Sequence, residues 1–231
     1  MYKTIMNILV KFPTRGRPDL FFKTLDLYYN LADDKDKLFF LISLDEDDKT
    51  MCNAEVNLKL LNYDNLQFII GHSSSKIDAV NRDMDLLEFD YDIILLASDD
   101  MIPQLQGYDN IIRDKMLNLY PDTDGILFFN DGYKKDELNT LCILGKKYYQ
   151  NFNYIYYPGY KSLFADNEFM DVGYLLKKQS YLEQCIIKHE HPDNGFTGMS
   201  KDEIHSLNIK YYHHDRELFE SRKFNNFGLD V

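Results

Sequence analysis

Five short apolar runs, each ending on a polar tip and each followed by a segment of a different period, constrain this chain more than any other feature. They are "TIMNILVKF" (4–12), "KLFFLISL" (37–44), "LQFIIG" (66–71), "YDIILLA" (91–97) and "GILFFN" (125–130). None alternates apolar with polar, so each reads as a strand buried on both faces. Between them the period changes. Leu20, Thr24, Leu27, Tyr28 and Leu31 share one helical face behind Pro18 and Asp19, and Met51, Val56 and Leu60 share a second. Ile77, Val80, Met84 and Leu87 follow "HSSS" as a serine-capped amphipathic helix, and residues 108–119 make a fourth. Strands buried on both faces and separated by helices predict an α/β fold: a mostly parallel central sheet flanked by helices.

The chain of 231 residues is one generous domain, with hydrophobic content of 45%, ample for a packed core. We expect residues 1–131 to form a nucleotide-binding half and residues 132–231, richer in Tyr and Asn, an acceptor-side half with helices around 168–178 and 213–224. A formal charge of −12 argues against a nucleic-acid surface, which needs clustered Lys and Arg. Cys52, Cys142 and Cys185 have no metal-site spacing and read as reduced thiols. The N-terminal "MYKTIMNILVKFPTRGRP" is neither a signal peptide nor a membrane span, so the expectation is a cytoplasmic protein.

In an open parallel sheet, ligands bind beyond the carboxyl ends of the strands. Here the strands are followed by "PTRGRP", "DEDD", "HSSSK", "SDDM" and "DG". Arg15, Arg17 and Lys76 therefore meet carboxylates on one rim. That mixture suits a metal-bridged phosphate ester, with carboxylate oxygens on Mg²⁺ or Mn²⁺ and cations on the remaining phosphate charge.

The ordered set "NILVKFPTRGRPDLFFKTLD", "SLDEDD", "SKIDAVNRDMD" and "ASDDMIP" resembles a GT-A glycosyltransferase of the family-2-like kind. The resemblance covers roughly residues 5–105 and, more weakly, 160–215. It implies a GT-A-like fold and a metal-dependent transferase that moves a sugar from a nucleotide diphosphate sugar, a UDP-sugar foremost, to an acceptor hydroxyl. Carried across, Pro13, Thr14, Arg15 and Arg17 line the nucleotide pocket, and Asp45 accepts from base or ribose. Lys76 and Asn81 help hold the nucleotide sugar, Ser98 belongs to the same site and contributes a hydroxyl or nothing, Asp99 contacts ribose or sugar, and Asp100 is the direct metal ligand. Ser98 stands where many members have Asp.

The resemblance extends to "SLFADNEFMD" (162–171), which offers Asp166 or Glu168 as catalytic base, and to "KHEHPDNG" (188–195), which offers His191, or alternatively His189, as a second metal ligand. Inversion and retention both stay open. Simpler roles compete: Asp166 as a helix cap, "DEDD" as a solvated loop from which Asp45 alone reaches the site, and His213 and His214 on a charged outer helix. Tyr156, Tyr157 and Tyr160 are expected in the core rather than against a sugar. A nucleotidyltransferase and a non-catalytic nucleotide-sugar-binding module are the rival functions. The first usually carries a Gly-rich loop after its first strand, and "PTRGRP" has one Gly.

Overall fold

The computed structural model describes residues 5–190 and 210–230. Along the first half run β1 (Ile8–Thr14), α1 (Pro18–Asn30), β2 (Leu38–Asp45), α2 (Ala54–Leu60), β3 (Leu66–Gly71), α3 (Lys76–Asn81) and β4 (Ile93–Leu96). Then follow β5 (Met101–Pro103), α4 (Tyr108–Leu119), β6 (Ile126–Phe129), β7 (Ile143–Gly145), α5 (Lys146–Phe152), α6 (Ala165–Leu175), β8 (Gln179–Leu182), β9 (Ile187–His189) and α7 (Tyr212–Phe224).

Seven strands form one sheet in the order β3-β2-β1-β4-β7-β6-β8. It is mostly parallel, as the uninterrupted apolar runs predict; β7 alone runs antiparallel to its neighbours, between β4 and β6. Alternate residues of β4 feed two cores. Ile93 and Leu95 pack with Phe21, Leu25 and Tyr28 of α1 and Tyr108, Ile112 and Met116 of α4. Ile94 and Leu96 pack with Ile77 and Val80 of α3, Tyr148 of α5 and Phe169 of α6. Burying both faces removes apolar area from water twice per strand, at roughly 25 cal/mol per Å².

Three expectations need correction. The helix read through Leu87 stops at Asn81: Asp83 adopts φ 73°, and a separate turn of 3₁₀ helix covers Met84–Leu86. Left-handed backbone breaks a helix, and hydrophobic spacing cannot reveal it. The helix placed at 168–178 lies three residues earlier. The helix placed at 213–224 is not merely an outer face, because Asp215 is fully buried there. Its carboxylate accepts from the backbone N–H groups of Lys161 (2.9 Å), Ser162 (2.8 Å) and Leu163 (2.8 Å), the strand of chain that leads into α6. Asp215→Ala leaves those donors without that acceptor, and we expect a loss of about 2–3 kcal/mol in denaturant unfolding. A change below about 0.5 kcal/mol would mean that solvent replaces the carboxylate.

Tyr156 and Tyr160 are buried in the second core, in keeping with the packing role. Cys52, Cys142 and Cys185 are all free. Among the described residues no helix is long and apolar enough to cross a membrane.

Candidate active site

After β1 the chain adds β2 and β3 on one side and then returns to place β4 on the other. The strand order therefore reverses between β1 and β4, and the crevice beyond their carboxyl ends is where an open sheet of this kind takes a ligand. The loop after β1 and the "SDD" after β4 flank it.

The first loop is tied down from β2. Gly16, at φ 76°, donates its N–H to Asp48 Oδ2 (2.7 Å). Arg15 donates to Asp45 Oδ2 (3.0 Å) and to both oxygens of Asp47 (2.5 and 2.9 Å). Pro13 lies within β1 opposite Ser43, and Thr14 is buried with its hydroxyl unpaired among the described residues. The acidic run is thus more than a solvated loop: three of its four carboxylates hold the Arg loop, and Asp48 is itself buried.

Across the crevice Arg17 Nη1 lies 3.2 Å from Asp99 Oδ1, and Thr24 Oγ1 donates to the Asp99 carbonyl (2.8 Å). The two aspartates differ although adjacent. Burial and the neighbouring Asp100 push the Asp99 carboxyl up to about 6 against the pull of Arg17. Burial also acts upward on Asp100, but His189 and the Ser98 hydroxyl, which donates to Asp100 Oδ1, outweigh it and hold that carboxyl well below the usual range.

His189 reaches Asp100 because β5 leaves the main sheet and pairs antiparallel with β9, setting Met101 opposite His189. Its Nε2 lies 3.6 Å from Asp100 Oδ2 and its Nδ1 4.0 Å from Asp131 Oδ2. Asp131, fully buried at the tip of β6, accepts from the N–H groups of Tyr133, Lys134 and Lys135 and from the Thr140 hydroxyl. His191 lies outside the described residues.

The two candidate bases separate clearly. Asp166 sits in the first turn of α6, but Phe164 takes the cap position at φ 62° and makes no side-chain cap bond. Among the described residues the Asp166 carboxylate accepts backbone N–H alone, at 3.0 Å from Asn167. Burial raises its pKa, while Lys76 and His189 act in the opposite direction, so it shares their field. Glu168 points elsewhere and is fully engaged. Arg222 donates to both its oxygens (2.7 Å each) and the Tyr160 hydroxyl to one of them (2.8 Å), while the guanidinium lies 3.4 Å above the Tyr157 ring. Glu168 thereby ties α6 to α7, with both its oxygens occupied.

The Asn81 side chain is likewise occupied. It donates to the Tyr156 carbonyl (2.7 Å) and accepts from the Ile155 and Tyr156 N–H groups, clamping the second half to α3. Lys76, exposed at the start of α3, acts on Asp99, Asp100 and Asp166 together.

Sequence reasoning missed Arg82. Its Nη2 donates to the Leu44 carbonyl (2.7 Å) and lies 3.6 Å from Asp45 Oδ1; that oxygen and Arg82 Nε are buried without a hydrogen-bond partner among the described residues. An acceptor and a donor left side by side at a rim suit a ligand edge that offers the complement. The signal was present in "VNRDMD" but was absorbed into a helix that ends before it.

No group of three or more His, Cys, Asp or Glu able to hold a metal occurs among the described residues. What the site offers is one carboxylate held ionised and one imidazole facing it. That pair suits Mn²⁺ better than Mg²⁺, with a diphosphate left to supply further oxygen ligands.

No family model and no curated protein sequence matches this chain. Solved structures do. A mannosyltransferase from Pyrobaculum calidifontis, PcManGT in complex with GDP-Man and Mn²⁺, superposes with a TM-score of 0.64 at 13% identity over 83% of this chain and 59% of that one. S. aureus TarS 1-349 in complex with UDP-GlcNAc gives 0.60 at 15% identity over 86% and 63%, and the same protein with UDP gives 0.61 at 15% over 98% and 75%. The chain thus spans about three fifths of the length of PcManGT. The fold is the GT-A glycosyltransferase fold.

Proposed function

We propose that this chain is a glycosyltransferase that binds a nucleoside diphosphate sugar in the crevice between β1 and β4 and transfers the sugar to an acceptor hydroxyl. The observation that carries the reading is the division of labour among three carboxylates at one rim: Asp45 beside Arg82, Asp100 facing His189, and Asp166, which among the described residues accepts only a backbone N–H. PcManGT and TarS, with the same fold, are seen with GDP-Man and with UDP-GlcNAc.

Each group has a task. Asp45 Oδ1 accepts and Arg82 donates, which complements an imide edge such as that of uracil, so a UDP-sugar is the first candidate donor. Thr14 offers to the nucleoside a hydroxyl that is unpaired among the described residues. Arg17 and Lys76 stabilise negative charge on the diphosphate as the glycosidic bond to it breaks. Asp100 and His189 would hold Mn²⁺ or Mg²⁺, which supplies Lewis-acid neutralisation of the leaving group when bound. Asp166 takes the proton from the acceptor hydroxyl if the reaction inverts the anomeric centre.

The test is thermal unfolding with UDP, GDP and their sugars, each with and without Mn²⁺. A ligand at about one hundred times its Kd adds about 2.7 kcal/mol to the native state, or about 5–10 °C for a chain of this size. We expect such a shift with one nucleoside diphosphate, larger with the metal, and we expect Asp100→Asn to abolish the metal-dependent part. If no nucleotide moves the midpoint, the transferase reading fails. Release of free nucleoside diphosphate on adding acceptor separates an enzyme from a binding module.

A further inference from the structure

The buried face of the sheet contains one cation that the proposed chemistry does not use. Lys11 stands in the middle of β1 with 0% of its surface exposed, on the side facing α3. Its ammonium donates to Ser43 Oγ and to the Arg82 carbonyl (2.8 Å) and lies 4.0 Å from Asp83 Oδ2. Ser43 in turn donates to Asp83 Oδ2 (2.5 Å). From β4 the register sets Leu96 beside Lys11, so Asp83, Arg82 and Ser43 are the polar groups that meet it.

An apolar residue would serve the sheet better here. Burial lowers the Lys11 ammonium to about 7 against the upward pull of Asp83. Nor does Asp83 lack a counter-ion: Arg82 Nη1 is 3.1 Å from its Oδ2. One carboxylate therefore faces two cations. Arg82 is itself divided between Asp83 on one side and Leu44 O and Asp45 Oδ1 on the other. A second cation on Asp83 changes how that division falls.

We infer that Lys11 is a positioning residue for nucleotide binding: by neutralising Asp83 and fixing the Arg82 carbonyl, it leaves the Arg82 guanidinium turned to Asp45 and the nucleobase. The inference rests on the nucleotide-binding reading given above. Without Lys11 the whole charge of Asp83 falls on Arg82, whose guanidinium is then drawn away from the rim. Without the Asp83 charge, Lys11 has nothing to counter.

The experiment is titration calorimetry of UDP and GDP with Mn²⁺ on wild type, Lys11→Met, Asp83→Asn and the double variant, with a melting curve for each. Lys11→Met is expected to weaken the preferred nucleotide about tenfold. Asp83→Asn is expected to bind within about threefold of wild type, and the double variant to recover to the Asp83→Asn level. A merely structural lysine would lower the melting temperature and leave the affinity of the folded protein unchanged, and that result overturns the inference. So does a double variant that stays as weak as Lys11→Met. If Lys11→Met fails to fold, the comparison of Asp83→Asn with the double variant decides, since a large difference between them means Lys11 acts by another route. Wild type that binds no nucleoside diphosphate overturns the underlying reading; wild type that binds while Lys11→Met equals it overturns the inference alone.

Discussion

Asp166→Asn is expected to lower the rate of sugar transfer by about 10²- to 10⁴-fold while leaving nucleotide affinity unchanged. Because Phe164 occupies the cap of α6 in left-handed conformation, Asp166 is not spent on capping, and its carboxylate meets backbone N–H alone among the described residues. Burial raises its pKa above the ordinary aspartate value against the opposing pull of Lys76. A base works only when deprotonated, so activity is lost as pH falls through that raised pKa, and the acid limb of kcat lies above the usual carboxylate range near about 4. Asparagine keeps the shape and cannot take a proton, so the acid limb vanishes along with the rate. Activity within tenfold of wild type would remove Asp166 from the chemistry and point to a retaining reaction.

The largest expected effect on stability is at Arg222. Arg222→Met leaves Glu168 buried without its bidentate partner, and losing one member of a buried ion pair costs about 3–5 kcal/mol. For a chain of this length that lowers Tm by on the order of 10 °C. Glu168→Gln combined with Arg222→Met removes both charges and is expected to recover much of the loss, because the penalty belongs to the charge left alone. Glu168→Gln by itself should destabilise while the transfer rate per folded molecule holds. The opposite pattern, unchanged melting with lost turnover, would restore Glu168 as the base.

Much of the first half was legible because its signals are local. Buried strands without alternation, a Pro-Asp helix start and polar strand tips each lie within a dozen residues, and together they place the rim and its Arg and Asp residues. Three things were not legible. The antiparallel insertion of β7 depends on a pairing between distant segments. Asp83 enters the left-handed region where hydrophobic spacing continues as if the helix went on, which hid Arg82. The identity of the partner of Glu168 is a fact of the tertiary structure, since Arg222 lies 54 residues away. Lys11 was visible as the lone charge in "NILVKF", yet a charge in an apolar run becomes informative only once its neighbours are known.

The small β5–β9 ladder also bears on the order in which the protein becomes competent. The proposed nucleotide pocket draws on β1, β2, α3 and β4, all of which precede Asp100 in the chain, whereas His189 arrives only when β9 closes a long loop onto β5. Contacts across such separations form late in folding, after the loop-closing entropy has been overcome. On the proposed reading, the metal pair Asp100 and His189 is therefore completed later in folding than the rim pair Asp45 and Arg82, which a shorter stretch of chain separates. Completion of that proposed pair depends on one three-residue strand.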